Sequence, residues 1–269
     1  MPVRPAATVL VLAERPDLHV LMLERNPQSV FAPSQWVFPG GAVDDHDATS
    51  EADATVAGRT DAEASAILGL ERGGIAYWVA ALRETYEEAG VLLSPEPLPP
   101  SVPPELFGRW RQEVNAGERG FVQMVRSLGV RLDGAGVHYV SRWVTPVGPP
   151  RRFDARFFVA AMPEGQVPAH DDDEAVAHRW IRPADALAAN RRSELAMFSP
   201  TVGVLRRLAE FAMVAEAVAA AAASTADDDE VVRIRQGIDG PERVAFPADA
   251  DYEQALDRVE DGMVRWRRS

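Results

Sequence analysis

Residues 83–91 read Arg83-Glu84-Thr85-Tyr86-Glu87-Glu88-Ala89-Gly90-Val91, three carboxylates and an arginine in two helical turns that stop at a glycine. On a helix turning about 100° per residue, Glu84, Glu87 and Glu88 fall within a sector of roughly 100°. Trp78, Leu82, Thr85 and Ala89 fall on the opposite side, which reads as the buried face and leaves the carboxylate face open to solvent. Arg83 stands at i,i+4 from Glu87 and can hold that carboxylate in one orientation. Three anions on so narrow a patch repel one another unless a cation joins them, and hard divalent cations favour an all-oxygen environment. The same run also reads as a solvated, charge-paired helix face.

Upstream, Trp36-Val37-Phe38-Pro39-Gly40-Gly41 is a short apolar run ending in a Pro-Gly-Gly turn. Glycines let backbone approach a ligand closely and leave N–H groups free, so a strand passing through them towards a carboxylate helix suits a phosphate-and-metal site. Together the two segments resemble the Nudix hydrolase family. Its signature is a glycine, a spaced glutamate, then Arg-Glu, an aliphatic residue, any residue, Glu-Glu, any residue, Gly and an aliphatic residue. Gly41 matches the opening glycine, and Arg83, Glu84, Glu87, Glu88, Gly90 and Val91 match the closing half.

The chain departs from that signature in three ways. The gap between Gly41 and Arg83 is far longer than in the family, the spaced glutamate would fall at Ile75, and Thr85 replaces the usual aliphatic residue. A long insertion inside the box resembles the branch containing the peroxisomal acyl-CoA diphosphatases and their bacterial relatives. Trp143-Val144-Thr145-Pro146, Arg152-Phe153-Asp154-Ala155-Arg156-Phe157-Phe158, and Glu174 followed by Trp180 also fit that branch. The resemblance runs from about Ala6 to Leu208.

Composition bounds the rest. With 269 residues, 46% of them hydrophobic, the chain can bury a full core. It has no cysteine, which excludes disulfides, cysteine-based zinc sites and thiol nucleophiles. No segment is apolar and long enough to span a bilayer, the N-terminus lacks a signal-peptide pattern, and Trp266-Arg267-Arg268-Ser269 is not a peroxisomal address. The expectation is a cytoplasmic protein without membrane contact. The net charge of −13 argues against nucleic acid as a partner and repels an anionic substrate at long range. Phosphate recognition therefore needs local cations, and all 28 basic residues are arginines. Nothing in the chain reports its oligomeric state.

Along the chain, Ala7–Ala13 and His19–Glu24 read as strands joined through Pro16-Asp17, and Trp36–Phe38 as a third. Residues 44–71 read as the box insertion, with a helix around Asp61–Leu70, serving either as a flap over the site or as a spacer. The carboxylate helix is predicted over Ile75–Ala89, a proline-rich loop over Pro95–Pro104, and helix patterning over Glu105–Leu128. Strands follow at Val137–Val144, Arg152–Ala160 and Ala175–Ile181, then a helix from Pro183 and a long helix over Thr201–Ser224. A hairpin pairing Val231–Gln236 with Glu242–Phe246 and a last helix from Tyr252 complete the pattern.

The resemblance implies an α/β fold, the Nudix α/β/α sandwich with a mixed sheet. It assigns a Nudix domain to residues 1–224, with helical insertions at about 44–74 and 94–133, and a C-terminal extension to 225–269. It implies a metal-dependent hydrolase that cleaves a phosphoanhydride in a nucleoside diphosphate derivative. The branch points to coenzyme A or acyl-CoA, giving 3',5'-ADP and (acyl-)phosphopantetheine. A pyrophosphatase for ADP-ribose, dinucleotides or nucleotide sugars is the rival within the enzyme class, and a non-catalytic nucleotide sensor is the rival outside it.

Carried over residue by residue, Glu84, Glu87 and Glu88 are the ligands of Mg2+ or Mn2+, and Arg83 orients them. Phe38, Gly40 and Gly41 shape the phosphate pocket. Glu174, in the acidic loop His170-Asp171-Asp172-Asp173-Glu174, is the candidate general base or a further metal ligand, with Glu84 as the alternative base. His170 and His178 read as surface polar residues. Arg152 and Arg156 alternate with Phe153 and Phe157 on one strand, so they form either a row of cations for a phosphorylated substrate or a ladder satisfied by Asp154. Arg25 is a further phosphate candidate.

Overall fold

The first strand shows why the sheet is central. In Val3–Glu14 (β1), Ala7, Val9 and Val11 alternate with Ala6, Leu10 and Leu12, and all six are buried. A strand apolar on both faces must be covered on both sides. The structure, a computed structural model, describes residues 3–29, 32–145, 151–224, 229–235, 243–247, 249–255 and 263–265.

β1 turns through Pro16 and Asp17 into Leu18–Arg25 (β2), followed by Trp36–Val37 (β3) and Gly40–Ala42 (β4). The box insertion then forms a 3-10 turn over Asp45–Ala48, a helical turn Ser50–Asp53 (α1), the short strand Val56–Ala57 (β5) and Asp61–Leu68 (α2). The carboxylate helix is Ile75–Ala89 (α3). The stretch expected to carry helix patterning from Glu105 to Leu128 holds two helices, Pro104–Asn115 (α4) and Phe121–Leu128 (α5), parted around Gly117 and Gly120. Leu132–Asp133 (β6), His138–Val144 (β7), Arg152–Ala161 (β8) and Ala175–Ile181 (β9) follow. Then come Pro183–Arg191 (α6), Ser199–Leu208 (α7) and Val214–Ala223 (α8). The last part contributes Asp229–Val231 (β10), Arg233–Arg235 (β11), Arg243–Ala245 (β12) and Met263–Arg265 (β13).

Nine of these strands make one mixed sheet in the order β10-β13-β7-β8-β1-β2-β3, with β4 also on β1 and β9 also on β2, while β5–β6 and β11–β12 form two separate two-stranded sheets. β1 and β8 run parallel over ten register pairs, from Val3↔Arg152 to Leu12↔Ala161, and the other pairs in this sheet are antiparallel. One face packs Ala7, Val9 and Val11 against α2, α3, α4 and α5 through Leu68, Trp78, Leu82, Val114, Met124 and Leu128. The other packs Leu10 and Leu12 against α6, α7 and α8 through Ala186, Leu205, Leu208 and Ala217. This is an α/β/α sandwich. Halfway along, β1 changes partner: Ala6, Ala7 and Thr8 face β4, while Leu12, Ala13 and Glu14 face β2.

Two further helix expectations are corrected. The single helix over Thr201–Ser224 is broken after Leu208. Leu18 N–H donates to the Ala212 carbonyl at 3.1 Å, and the Glu14 carboxylate accepts from Val214 N–H at 2.6 Å, so the connection is tied to the β1–β2 turn. The last helix, expected from Tyr252, starts as a 3-10 turn over Tyr252–Gln254, residues 256–262 lie outside the described residues, and Met263–Arg265 is a sheet strand beside β7. Among the described residues, no helix is long and apolar enough to cross a membrane.

Candidate active site

α3 is held at both ends. The Asp61 carboxylate accepts from Ile75 N–H and Gly73 N–H, each at 3.0 Å, so the insertion caps the helix that follows it. Gly90 closes the other end at φ 66°, a left-handed turn suited to glycine. Trp78 Nε1 donates to the Val137 carbonyl at 2.9 Å, and Thr85 Oγ1 to the Ala81 carbonyl at 2.7 Å, so both polar atoms are satisfied inside the core. Ile75, where the family's spaced glutamate would fall, is a buried core residue.

The carboxylate face is not solvated as expected. Glu88 is 4% exposed and Arg83 9%, because β4 lies directly against this side of α3. The Gly40–Gly41 pair permits that approach. A Cβ on Gly41 would stand 2.5 Å from Glu84 Oε1, and one on Gly40 2.5 Å from the Ala7 carbonyl. Gly40 N–H donates to Glu88 Oε2 at 2.9 Å.

Arg83 is the hub of the cluster. Its guanidinium donates to Glu84 at 2.8 Å, to Glu87 at 2.9 Å and to the Ala42 carbonyl at 2.9 Å. It also makes a two-pronged pair with Asp47, at 2.9 and 3.0 Å. Asp47 is 1% exposed and was not singled out in the sequence. Its neighbours Asp44 and Asp45 are equally acidic, and its partner lies 36 residues further on. Burial works against the Arg83 charge, but the Asp47 hydrogen bond and the Glu84, Asp47 and Glu87 charges more than offset it and raise its pKa.

Burial moves the carboxyls the other way. It pushes Glu84 up to about 7, with Arg83 opposing and Glu87 and Glu174 reinforcing. Burial also raises Glu87 against the pull of Arg83. Glu88 rises well above the usual range, through burial and then the Glu84 charge. Arg25 sits between Glu88, at 3.8 Å, and Glu174, at 3.7 Å. Six carboxylates (Asp44, Asp47, Glu84, Glu87, Glu88 and Glu174) thus share the guanidiniums of Arg83 and Arg25. A hard divalent cation fits this all-oxygen, anion-rich set. In the described conformation Glu84 and Glu87 turn onto Arg83 and Glu88 onto Gly40 N–H, and no three acidic or histidine side chains among the described residues converge as a formed metal shell.

A cleft of about 720 Å³ opens beside Glu84, a volume ordinary for a small-molecule site. Phe38, Gly40, Gly41, Arg25 and Glu174 line it together with Glu84. Ala6 and Thr8 of β1 and Ala155 of β8 form the floor, and Trp143, Phe153, Phe157 and Phe198 supply apolar walls. Two expected substrate residues do not face it. Arg156 is buried on the opposite side of β8, over the Tyr77 ring at 5.5 Å and paired with Asp154. Arg152 Nε donates to the Thr145 carbonyl at 2.9 Å, and Arg142, rather than Arg152, completes the Asp154 ladder at 3.0 Å. It is the Phe153, Ala155 and Phe157 side of the strand that meets the cleft. Among the described residues, the cleft's other cations are Arg4 and Arg151, which belong to no motif in the sequence.

The box insertion contributes no cleft lining and is not a flap. Its first turn holds Arg83 through Asp47, and α2 packs on the core side of α3. The second insertion braces the other end: Arg111 donates to the Glu87 carbonyl at 2.9 Å and to the His170 carbonyl at 3.3 Å. Asn26 then fixes the acidic loop, donating from its backbone to the Glu174 carbonyl and from its side chain to the Asp173 carbonyl. His170 and His178 pair with each other at 2.9 Å.

Residues 63–208 match the family model for the NUDT19 Nudix domain. The chain belongs to this Nudix family. It is 29% identical over 259 residues to the acyl-coenzyme A diphosphatase NUDT19 of Gallus gallus, covering 77% of this chain and 68% of that protein. It is 28% identical over 232 residues to the protein of the same name from Homo sapiens, covering 73% of this chain and 62% of that one, less than two thirds of its length. The crystal structure of a NUDIX hydrolase from Alicyclobacillus acidocaldarius superposes with a TM-score of 0.65 at 27% identity, over 81% of this chain and 96% of that one. Nudix hydrolases as a family work with divalent metal ions.

Proposed function

We propose that the chain hydrolyses the diphosphate of coenzyme A or acyl-CoA, with Mg2+ or Mn2+ held by Glu84, Glu87 and Glu88. The observation that carries the reading is the anion-rich cluster pressed against the Gly40–Gly41 turn at the edge of a small-molecule cleft. The substrate class is taken from the Gallus gallus and Homo sapiens relatives, named as acyl-coenzyme A diphosphatases.

In this reading water attacks one phosphorus, the bridging P–O bond breaks, and the other phosphate leaves as part of 3',5'-ADP or (acyl-)phosphopantetheine. A bound divalent cation would neutralise the diphosphate oxygens and acidify the attacking water. Arg83, fixed by Asp47, keeps Glu84 and Glu87 in place. Glu174 is 62% exposed at the cleft edge and accepts the water proton, with Glu84 as the alternative acceptor. Arg25, between Glu88 and Glu174, meets a phosphate oxygen. Phe38 and the glycine turn shape the wall on that side.

The test is a magnesium-supplemented panel of coenzyme A, acetyl-CoA, ADP-ribose, NADH and a nucleotide sugar, with products resolved by chromatography. The reading expects the highest kcat/KM on a coenzyme A derivative. A higher value on ADP-ribose would move the enzyme to the rival substrate class. Tight binding of one nucleotide with no turnover of any would mark a sensor.

A further inference from the structure

We infer that Arg4 and Arg151 form a second anion subsite at the mouth of the cleft, separate from the diphosphate being cleaved, which selects substrates carrying an additional phosphate monoester on the nucleoside. The inference rests on the coenzyme A reading and deepens it. In a chain of net charge −13, long-range electrostatics oppose a polyanionic substrate, so the cations inside the cleft decide what binds. Among the described residues, three arginines line it: Arg4, Arg25 and Arg151. Arg25 is engaged by Glu88 and Glu174. Among the described residues, Arg4 and Arg151 make no ion pair and no side-chain hydrogen bond, while Arg142, Arg152 and Arg156 nearby are all engaged by Asp154 or Thr145.

The strand register brings the two together. Arg4 pairs with Phe153 in the parallel β1–β8 ladder, and Arg151, the residue just before β8 and two before Phe153, lines the same cleft. One strand spacing and a two-residue step place their Cα atoms about 8 Å apart. Two guanidiniums at that separation can converge on one phosphate, and their planar forks suit its oxygens. The subsite is also distinct from the carboxylate cluster. Gly41, in contact with Glu84, pairs with Ala7, and Arg4 lies three residues, about 10 Å, further along the strand. Between them the floor is Ala6 and Ala155, small side chains that leave room for a nucleoside, with Phe153 and Trp143 beside it. Adenosine with phosphate on both its 5' and 3' positions has the chemistry to span the two sites.

The test compares kcat/KM for coenzyme A and dephospho-coenzyme A, which lacks the 3'-phosphate, in the wild type, Arg4→Gln, Arg151→Gln and the double variant. Both arginines are exposed, so the variants should fold. The wild type should prefer coenzyme A. Each single variant should lower the preference ratio by about tenfold, the effect of losing one charge-assisted phosphate contact at an exposed position, and the double variant should bring it close to one. Inhibition by 3',5'-ADP should weaken in the same variants relative to inhibition by 5'-AMP. A ratio that stays at its wild-type value, whether both substrates suffer equally or neither does, would overturn the subsite while leaving the hydrolase reading intact. A wild type inert towards both substrates would overturn the coenzyme A reading and the subsite with it.

Discussion

Asp47 is the part of the cluster whose removal has the most calculable effect. Asp47→Ala deletes two hydrogen bonds to Arg83, at 2.9 and 3.0 Å, and a third from Asp44 N–H at 2.9 Å that closes the 3-10 turn. Breaking a buried ion pair by removing one partner costs about 3–5 kcal/mol. Arg83 keeps Glu84, Glu87 and the Ala42 carbonyl, so a smaller loss of about 2–4 kcal/mol is expected. For a domain of this size that lowers Tm by about 5–15 °C. Freed from Asp47, the guanidinium no longer sets the direction of Glu84 and Glu87, so half-saturation by magnesium or the catalytic rate should worsen by about 10–100-fold. Asp47→Asn retains one acceptor but turns an amide donor towards the guanidinium, and should fall between the two. Thermal melts with and without magnesium, followed by a magnesium titration of turnover, read both effects. If Asp47→Ala melts within about 1 °C of the wild type and needs no more magnesium, the positioning role is wrong.

Other perturbations separate fold from chemistry. Gly41→Ala puts a Cβ 2.5 Å from Glu84 Oε1, the far end of a side chain that can turn aside only by leaving Arg83, so activity should collapse while Tm falls less than in Asp47→Ala. Gly40→Ala instead meets backbone at Ala7 and Thr8 and should cost about 1–3 kcal/mol of stability; equal behaviour of the two variants would contradict the packing described. Glu174→Gln should depress turnover by about two to four orders of magnitude, with partial rescue at higher pH, if it accepts the water proton. A variant restored by saturating magnesium would make Glu174 a ligand, and near wild-type behaviour throughout would leave Glu84 as the acceptor. The Asp61 pKa is lowered chiefly by the Ile75 N–H hydrogen bond. Its folded pKa lies below the unfolded value of about 3.9, so its stabilisation is present above pH ~4 and fades as pH falls through the folded value. Asp61→Ala should cost about 1 kcal/mol at pH 7 and progressively less below pH 4, and a constant difference down to pH 2 would refute the cap.

The elements legible in the sequence were those with strong local signals. α3 was readable end to end because its apolar period stops at Gly90, and β9 because its apolar run is bounded by the acidic loop. The break between α7 and α8 was not, because residues 209–213 carry no proline or glycine and are opened by the tertiary contacts of Ala212 and Val214. β13 was hidden for a related reason: its pairing with Arg142 and Ser141 joins residues more than a hundred positions apart. Strand alternation correctly separated Arg152 and Arg156 from Phe153 and Phe157, but only the packing of Tyr77 over Arg156 reveals which side meets the cleft. Asp47 carried no local signal, since its distinction from Asp44 and Asp45 is its burial against Arg83.

The central claim is that Glu84, Glu87 and Glu88 hold the divalent cation on which hydrolysis depends. The direct measurement is release of 3',5'-ADP from coenzyme A as magnesium is titrated, in the wild type and in Glu87→Gln, after stripping with a chelator. The account predicts no product in excess chelator, full recovery on adding magnesium to the wild type, and turnover at least about a hundredfold lower in Glu87→Gln despite an intact fold. Undiminished release in excess chelator, or a wild-type rate in Glu87→Gln, would contradict it.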